Sequence, residues 1–382
     1  MKSIKERVYL LYGLLHSLKS PKILLSSLSA YRDKNIYESR ESIKLASEWL
    51  LMMQNSDGGF SRKYSFITAR DKSYIETTGY IIPTLIDVSS YLNDESYRDS
   101  ALNAGEFLLR VQNSDGSFCE IDESKPLVFD TGQCLIGLNR LYLLTEEKRY
   151  LDASSRAVRW LLNVLEEDKW VEFAYNKQPH TYYSRVASAI YKYAEIVDDS
   201  SIKKRALKQI EWVMKNQNEN GFFNYSSFLD TTEPYLHTLV YILEGLLDIY
   251  DATQEREILD VILKNSEHFK ELSLQNKTQL CSQYNKNFEC INSEVCVTGL
   301  AQWAGVSMRL YEITQDSSYK RSTQKTLNYL KTKQIKSSMM RGGFSASIPF
   351  YGKYGSFDFV NWTNKFFIDS LLKSENFKGD KV

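Results

Sequence analysis

One short phrase recurs along this chain and narrows its fold more than any other feature. It reads Gln54-Asn55-Ser56-Asp57-Gly58-Gly59-Phe60, then Gln112-Asn113-Ser114-Asp115-Gly116-Ser117-Phe118, then Gln217-Asn218-Glu219-Asn220-Gly221-Phe222. A worn copy, Arg341-Gly342-Gly343-Phe344, comes late. Each clear copy follows an aliphatic helical stretch that carries an aromatic: Trp49-Leu50-Leu51-Met52-Met53, Phe107-Leu108-Leu109 and Trp212-Val213-Met214. A Gly after Asn or Asp ends a helix and turns the chain sharply. Asp57, Asp115 and Asn220 are therefore expected to be turn residues. The repeating unit is helix, Asn/Asp-Gly turn, aromatic plug, loop, helix, and a recurrent unit of this kind marks a repeat architecture.

The unit recurs six times. Outer helices are expected at about 41–54, 96–113, 149–165, 201–217, 255–274 and 317–334, each paired with the inner helix that follows it. The inner helices begin near Glu76, Thr131, His180, Tyr235, Val297 and Phe359. Their landmarks Gly79, Gly132, Ser184, Thr238, Gly299 and Thr363 are 53, 52, 54, 61 and 64 residues apart, and no strand-period run intervenes. Pro83 is placed in the first turns of its helix, where a missing amide hydrogen costs little. The third phrase is degenerate, with Trp170 where the plug belongs. Six pairs are enough to close a ring, with Lys/Glu/Arg-rich helices outside and Gly/Ala/Thr/Leu-rich helices inside. The expected fold is all-α, a single (α/α)6 toroid domain over 36–382 preceded by a helical extension over 1–35.

Lys+Arg 48 balances Asp+Glu 48, which removes any electrostatic reason to expect nucleic acid. Five cysteines without a Cys-x-x-Cys pair fit reduced thiols better than a disulfide framework. The opening apolar run, Val8 to His16, is short, follows an acid and lacks a small-residue cleavage site, so it reads as an amphipathic helix. No stretch reaches the ~18 apolar residues of a membrane span. The expectation is a cytoplasmic protein without a membrane span.

In such a ring the outer-to-inner loops and the inner-helix N-termini share one face. Polar side chains there converge on a central cup, toward which free amide hydrogens also point. Two of the four histidines, His180 and His237, open successive inner helices, and imidazole passes protons near neutral pH. Tyr182, Tyr183 and Arg185 follow His180. Arg185 is placed either on a substrate carboxylate or on an inner-helix acid. Acids recur at the mouth as Glu76, Asp130, Asp230, Glu233, Glu289 and Glu294, each a candidate helix cap or catalytic carboxylate. The loop Phe350-Tyr351-Gly352-Lys353-Tyr354-Gly355-Ser356-Phe357 reads as an aromatic lid leading to Asn361-Trp362. No metal or cofactor signature is present: the cysteines lack zinc spacing, and there is no phosphate loop, nucleophile elbow or Asp-x-Asp-Asp cluster.

The Gln-x-x-Asp-Gly-x-Phe phrase is similar to the repeat of terpenoid cyclase and prenyltransferase toroids. A fuller resemblance covers about residues 40–372. It is carried by Ile75-Glu76-Thr77-Thr78-Gly79-Tyr80, Phe129-Asp130-Thr131-Gly132-Gln133, His180-Thr181-Tyr182, His237-Thr238, Cys296-Val297-Thr298-Gly299-Leu300-Ala301-Gln302 and Asn361-Trp362-Thr363-Asn364. In this order the segments resemble the VpsJ-type proteins of bacterial exopolysaccharide and cell-surface glycan biosynthesis. The lid departs from that family, with Tyr351-Gly352-Lys353-Tyr354 where a Trp-Gly-Arg-Tyr-like stretch is usual.

The resemblance implies a carbohydrate substrate, an oligo- or polysaccharide that is free or lipid-linked. The leading expectation is a uronate epimerase or lyase-like enzyme using His180, His237 and Tyr182 for proton transfer and Arg185 as carboxylate clamp. Tyr183, Gln133, Tyr351, Tyr354, Asn361, Trp362 and Gln302 are expected to bind substrate. A glycoside hydrolase pairing Glu76 or Asp130 with Glu233 or Glu294 is the alternative. A non-catalytic glycan-binding module is a third, and a terpene cyclase the least supported, since the acid cluster is missing.

Overall fold

A computed structural model describes residues 4–120, 125–228, 233–275, 279–337 and 339–376. Asp230 lies outside them. Two leading helices, α1 (Ile4–Ser17) and α2 (Pro21–Arg32), precede twelve that alternate between two layers. The outer layer holds α3 (Ser39–Met52), α5 (Glu95–Val111), α7 (Lys148–Asn163), α9 (Ser200–Lys215), α11 (Arg256–Gln275) and α13 (Ser317–Lys333). The inner layer holds α4 (Ile75–Leu92), α6 (Val128–Thr145), α8 (Ser184–Ile196), α10 (Leu236–Thr253), α12 (Val297–Thr314) and α14 (Asn361–Ser374). Inner helices pack in sequence order, and α14 packs on α4 to close the ring. This is the (α/α)6 toroid.

Each outer helix packs chiefly on the inner helix before it rather than the one after, and α3 packs chiefly on α14. The cause is the turn. Inner helices α4, α6, α10 and α12 end on Asn93, Glu146, Gln254 and Gln315, all left-handed with φ of 57–59°. The outer helix then starts within three residues, and a connection so short makes antiparallel neighbours. Asp94, Asp199 and Asp316 cap α5, α9 and α13. The long connections all run from outer to inner helix and gather on one face.

At three connections the recurrent phrase staples an outer helix to the next. Gln54 Nε2 donates to Gly58 O and to Ser100 O on α5, at 2.8 and 2.9 Å. Gln112 does the same to Gly116 O and Ala153 O on α7, and Gln217 to Gly221 O and Val261 O on α11. Asp57, Asp115 and Asn220 accept from the amide two residues on, as turn residues should. Gly116 has φ 96°, and a Cβ there would overlap the Arg156 carbonyl of α7, so the position admits only glycine. The worn copy is a working staple: Gln334 Nε2 reaches Gly342 O and Ser42 O on α3, across the ring closure. At the third connection Trp170 is the buried plug, its Nε1 on Leu161 O, and Arg205 of α9 donates to Leu162 O.

Inner helices touch through small residues. Pro83 lies inside α4, not in its first turns, and leaves the Gly79 carbonyl without its i+4 donor. That carbonyl lies against Gly137 of α6, where a Cβ could not fit. Five short strands, unforeseen from the sequence, tie the connections together. They are β1 (Lys63–Ser65), β2 (Ala69–Arg70), β3 (Val295–Cys296), β4 (Ser347–Ile348) and β5 (Asp358–Val360). The order β2-β1-β5 joins the first connection to the last, and β3 pairs with β4. Strands of two or three residues carry too little alternation to be seen in sequence. Cys281 and Cys290 form a disulfide, which overturns the expectation of wholly reduced thiols; nine-residue spacing matches no motif. No helix among the described residues is long and apolar enough to cross a membrane.

Candidate functional site

The long connections and inner-helix first turns enclose a cavity of about 570 Å³. First turns supply Glu76 from α4, Phe129 from α6, His237 and Thr238 from α10 and Trp362 from α14. Tyr182 enters from the 3-10 turn before α8, and Tyr241 from one turn deeper in α10. The connections add Arg62, Asp71, Lys72 and Tyr74 from the first, Glu120 from the second, Tyr175 and Asn176 from the third, Phe228 from the fourth and Tyr354 from the last. Eight of the 19 lining residues are aromatic, which makes the walls stacking surfaces with hydroxyls at their edges.

Glu76 is the inner-helix carboxyl that lines the cavity. Its Oε2 accepts from the Tyr74 hydroxyl at 2.9 Å. Burial raises its pKa to about 7; the negative charge of Glu120 adds to this, while the Tyr74 hydrogen bond, Arg62 and Arg185 oppose it. Burial and the nearby second carboxylate both favour the protonated form of Glu76. Arg62 lies 4.9 Å above the Tyr74 ring at the mouth, where the charges of Glu120, Glu76 and Asp71 also act on it.

His237 is the imidazole of the cup. Burial, aided by the charge of Arg185, pushes its pKa down to about 3, so it is neutral at physiological pH. Its tautomer follows from the groups beneath it. Arg185 Nη1 donates to Glu244 Oε2 at 2.9 Å, and Gln302 Nε2 donates to the same oxygen at 3.1 Å. An ionised carboxylate only accepts, so Gln302 must turn its amide nitrogen to Glu244 and its Oε1 to His237 Nδ1, 2.6 Å away. Nδ1 therefore carries the hydrogen, and Nε2 is left as the acceptor of a ring that borders the cavity.

Of the residues expected from the sequence, the structure brings Glu76, His237, Tyr182, Tyr354 and Trp362 together in the cavity wall. Trp362 Nε1 donates to the Tyr354 hydroxyl at 2.7 Å, which fixes both rings. Others lie elsewhere. His180 is buried behind Tyr182, stacked at 4.8 Å, with Nε2 on Tyr175 O, so it is a wall support. Asp130 is fully buried and accepts from the Tyr175 hydroxyl at 2.9 Å. Arg185 pairs with the inner-helix acid Glu244, the second of its two expected placements, and holds Gln133 Oε1 through Nε. Gln133 and Gln302 thus sit under the cavity rather than in it. The Tyr183 hydroxyl accepts from Tyr175 N, and Asn361 donates to Ser61 O. Tyr351 is turned outward, 39% exposed. Glu233 is half-buried with its carbonyl on Gln283, and Glu294 accepts from Lys353 N in the lid. These residues were displaced because a helix start is broad: only side chains aimed at the axis reach the cavity.

The sequence reading missed Arg62, Tyr74, Glu120, Tyr175 and Tyr241. Four of the five come from connections whose path is not periodic. Tyr241 was within reach, one turn beyond His237 on the same face.

Residues 18–250 match the family described as squalene-hopene cyclase C-terminal domain. This chain belongs to that family. No curated protein matches it by sequence. Solved structures similar to this squalene-hopene cyclase C-terminal domain protein share the toroid. One is an unsaturated glucuronyl hydrolase specific for heparin, with TM-score 0.70 and 14% identity, covering 88% of this chain and 97% of that one. A second is the cellobiose 2-epimerase from Bacillus thermoamylovorans B4167, with TM-score 0.70 and 12% identity over 87% and 97%. A D-mannose isomerase matches with TM-score 0.70 and 9% identity over 88% and 97%. The neighbours are carbohydrate-processing enzymes, and at these identities the likeness is one of fold.

Proposed function

We propose that this protein is a carbohydrate-processing enzyme that cleaves a glycosidic bond next to an acidic sugar, with Glu76 as general acid. The observation that carries the reading is the Glu76 carboxyl, facing the cavity, hydrogen-bonded by Tyr74 and held at about 7. A carboxyl that keeps its proton near neutrality is what protonation of a leaving glycosidic oxygen requires. Glu120 is the second carboxylate of the cavity, in place of the Glu233 or Glu294 expected from sequence. Arg62 holds the sugar's own carboxylate at the mouth, the aromatic walls stack on sugar faces, and His237 Nε2 accepts from a hydroxyl or the attacking water. The carbohydrate activity of the structural neighbours supports this class. Resemblance to VpsJ-type proteins supports a setting in bacterial exopolysaccharide or cell-surface glycan assembly.

Epimerisation is the second reading, since one neighbour is a 2-epimerase. It is weaker because His180 is outside the cavity and a histidine at about 3 is a poor base for a carbon-bound proton. Cyclisation of a polyene, which the family name brings to mind, needs an acid stronger than an ordinary carboxylic acid. Glu76 is a weaker one.

The test is incubation of the purified protein with a panel of uronate-ended oligosaccharides in heavy water, read by mass spectrometry and NMR. New reducing ends, reduced at least about 100-fold in Glu76→Gln, are expected. Deuterium on a sugar carbon without new ends would replace hydrolysis by epimerisation. Turnover untouched by Glu76→Gln would overturn the assignment.

A further inference from the structure

The strongest feature outside the cup is the outer face of the leading helices. Val8, Leu11, Leu15 and Leu18 follow one another at three- and four-residue steps and are 62, 61, 55 and 63% exposed. Leu25 on α2 is 66% exposed. One helical face thus presents large aliphatic side chains to solvent, where isolated exposed leucines would need no explanation. Arg7, Lys19 and Lys22 are exposed beside it. Residues 1–28 hold five Lys or Arg and one acid in a chain whose net charge is zero, and that acid, Glu6, is paired with Lys353 at 3.8 Å.

We propose that α1 and α2 seat the protein on the surface of an anionic lipid bilayer. An apolar helix face bordered by cations lies in the headgroup plane, with its leucines entering the acyl boundary and its Lys and Arg meeting anionic lipids. The 14 residues of α1 are too few to span. The charge also decides between occupants: a second copy would bring like-charged faces together, whereas an anionic membrane complements them. The other side of α1 rests on the lid. The Tyr9 ring meets Phe357 edge-on at 6.3 Å, and Lys353, paired with Glu6, is next to Tyr354 of the cavity wall. A surface-bound α1 therefore holds the lid at the membrane. With the proposed function, on which this clause rests, that narrows the substrate to a lipid-linked carbohydrate.

The test uses the full chain and reads binding alone, so it stands apart from any failure of the activity. Protein is co-sedimented with phosphatidylcholine vesicles, with and without about one-third phosphatidylglycerol. Binding to the anionic vesicles, weakened by salt, is expected. Leu11→Glu with Leu15→Glu should lower it at least about tenfold. Lys19→Glu with Lys22→Glu should erase the preference for anionic lipid. Both pairs are exposed, and an unchanged thermal unfolding transition confirms that the fold survives. The proposal is overturned if wild type stays in the supernatant with both vesicles, or if the Leu pair sediments as wild type. It is equally overturned if the Leu pair dissociates a dimer in sedimentation velocity while no vesicle binds, which would make the face a contact between copies.

Discussion

Replacing Glu76 by Gln removes an ionisation that the fold resists, and its effect on stability is set by the raised pKa. In the unfolded chain this carboxyl titrates near its ordinary 4.5, and in the folded protein near 7. Between those values the native state holds a proton that the unfolded state has released. Stability from this group is therefore full at acid pH, falls as pH rises from about 4.5, and is lost above about 7. The separation corresponds to about 3 kcal/mol at most. The group borders the cavity and is partly screened by solvent, which brings the expected loss between pH 5 and 8 to about 2 kcal/mol. The Gln amide has the same shape and accepts from Tyr74, but has no charge to desolvate. Urea unfolding of wild type and Glu76→Gln at pH 5, 6, 7 and 8, at constant ionic strength, gives the difference directly. The advantage of the variant should grow by about 2 kcal/mol toward pH 8. The depressed His237 acts in the opposite direction, losing stability as pH falls below about 6.5, but it is present in both proteins and cancels. A difference that stays constant with pH, or widens toward acid, would refute the reasoning.

Three further outcomes follow from the geometry. Gln302→Leu breaks the contact that sets the His237 tautomer; turnover should fall about tenfold or more with KM little changed. Arg62→Ala removes the cation at the mouth, so KM for an acidic sugar should rise while kcat changes little, and a neutral substrate should show no such change. Gly116→Ala forces a Cβ into a left-handed residue and onto the Arg156 carbonyl; a loss of at least about 2 kcal/mol is expected, read as a fall in the urea midpoint.

The toroid was legible because its information is local and repeated. Each helix of the ring announces itself by periodic apolar residues, and each staple is a compact phrase whose Gln, Asp and Gly act within seven residues. The exceptions show the limit. Gln334 serves the worn fourth staple from eight residues before its Gly342, too far for the phrase to be recognised. Pro83 falls inside α4 although the expected start near Glu76 is one residue from the observed Ile75, so its interior place was a matter of counting turns rather than of a missing signal. The site was legible by level rather than by direction. Sequence placed Glu76, His237, Tyr182 and Trp362 at the correct helix ends, and placed His180, Asp130 and Arg185 there as well. Only the rotation of each helix about its axis separates a cavity side chain from a buried support.

By itself, then, the order of residues determined a closed ring of six helix pairs, the face on which its chemistry gathers, and the turn residues that make the ring close. These depend on contacts between residues near in sequence or on a period that the chain repeats. The tertiary structure alone decided that Glu120 sits in the same cavity as Glu76 and raises its pKa. It alone set the relay from Arg185 through Glu244 and Gln302 to His237. The hydrogen-bonded pairs of the relay are 58 to 65 residues apart and each joins two repeats, so their coupling exists only once the ring has brought them into one low-dielectric space.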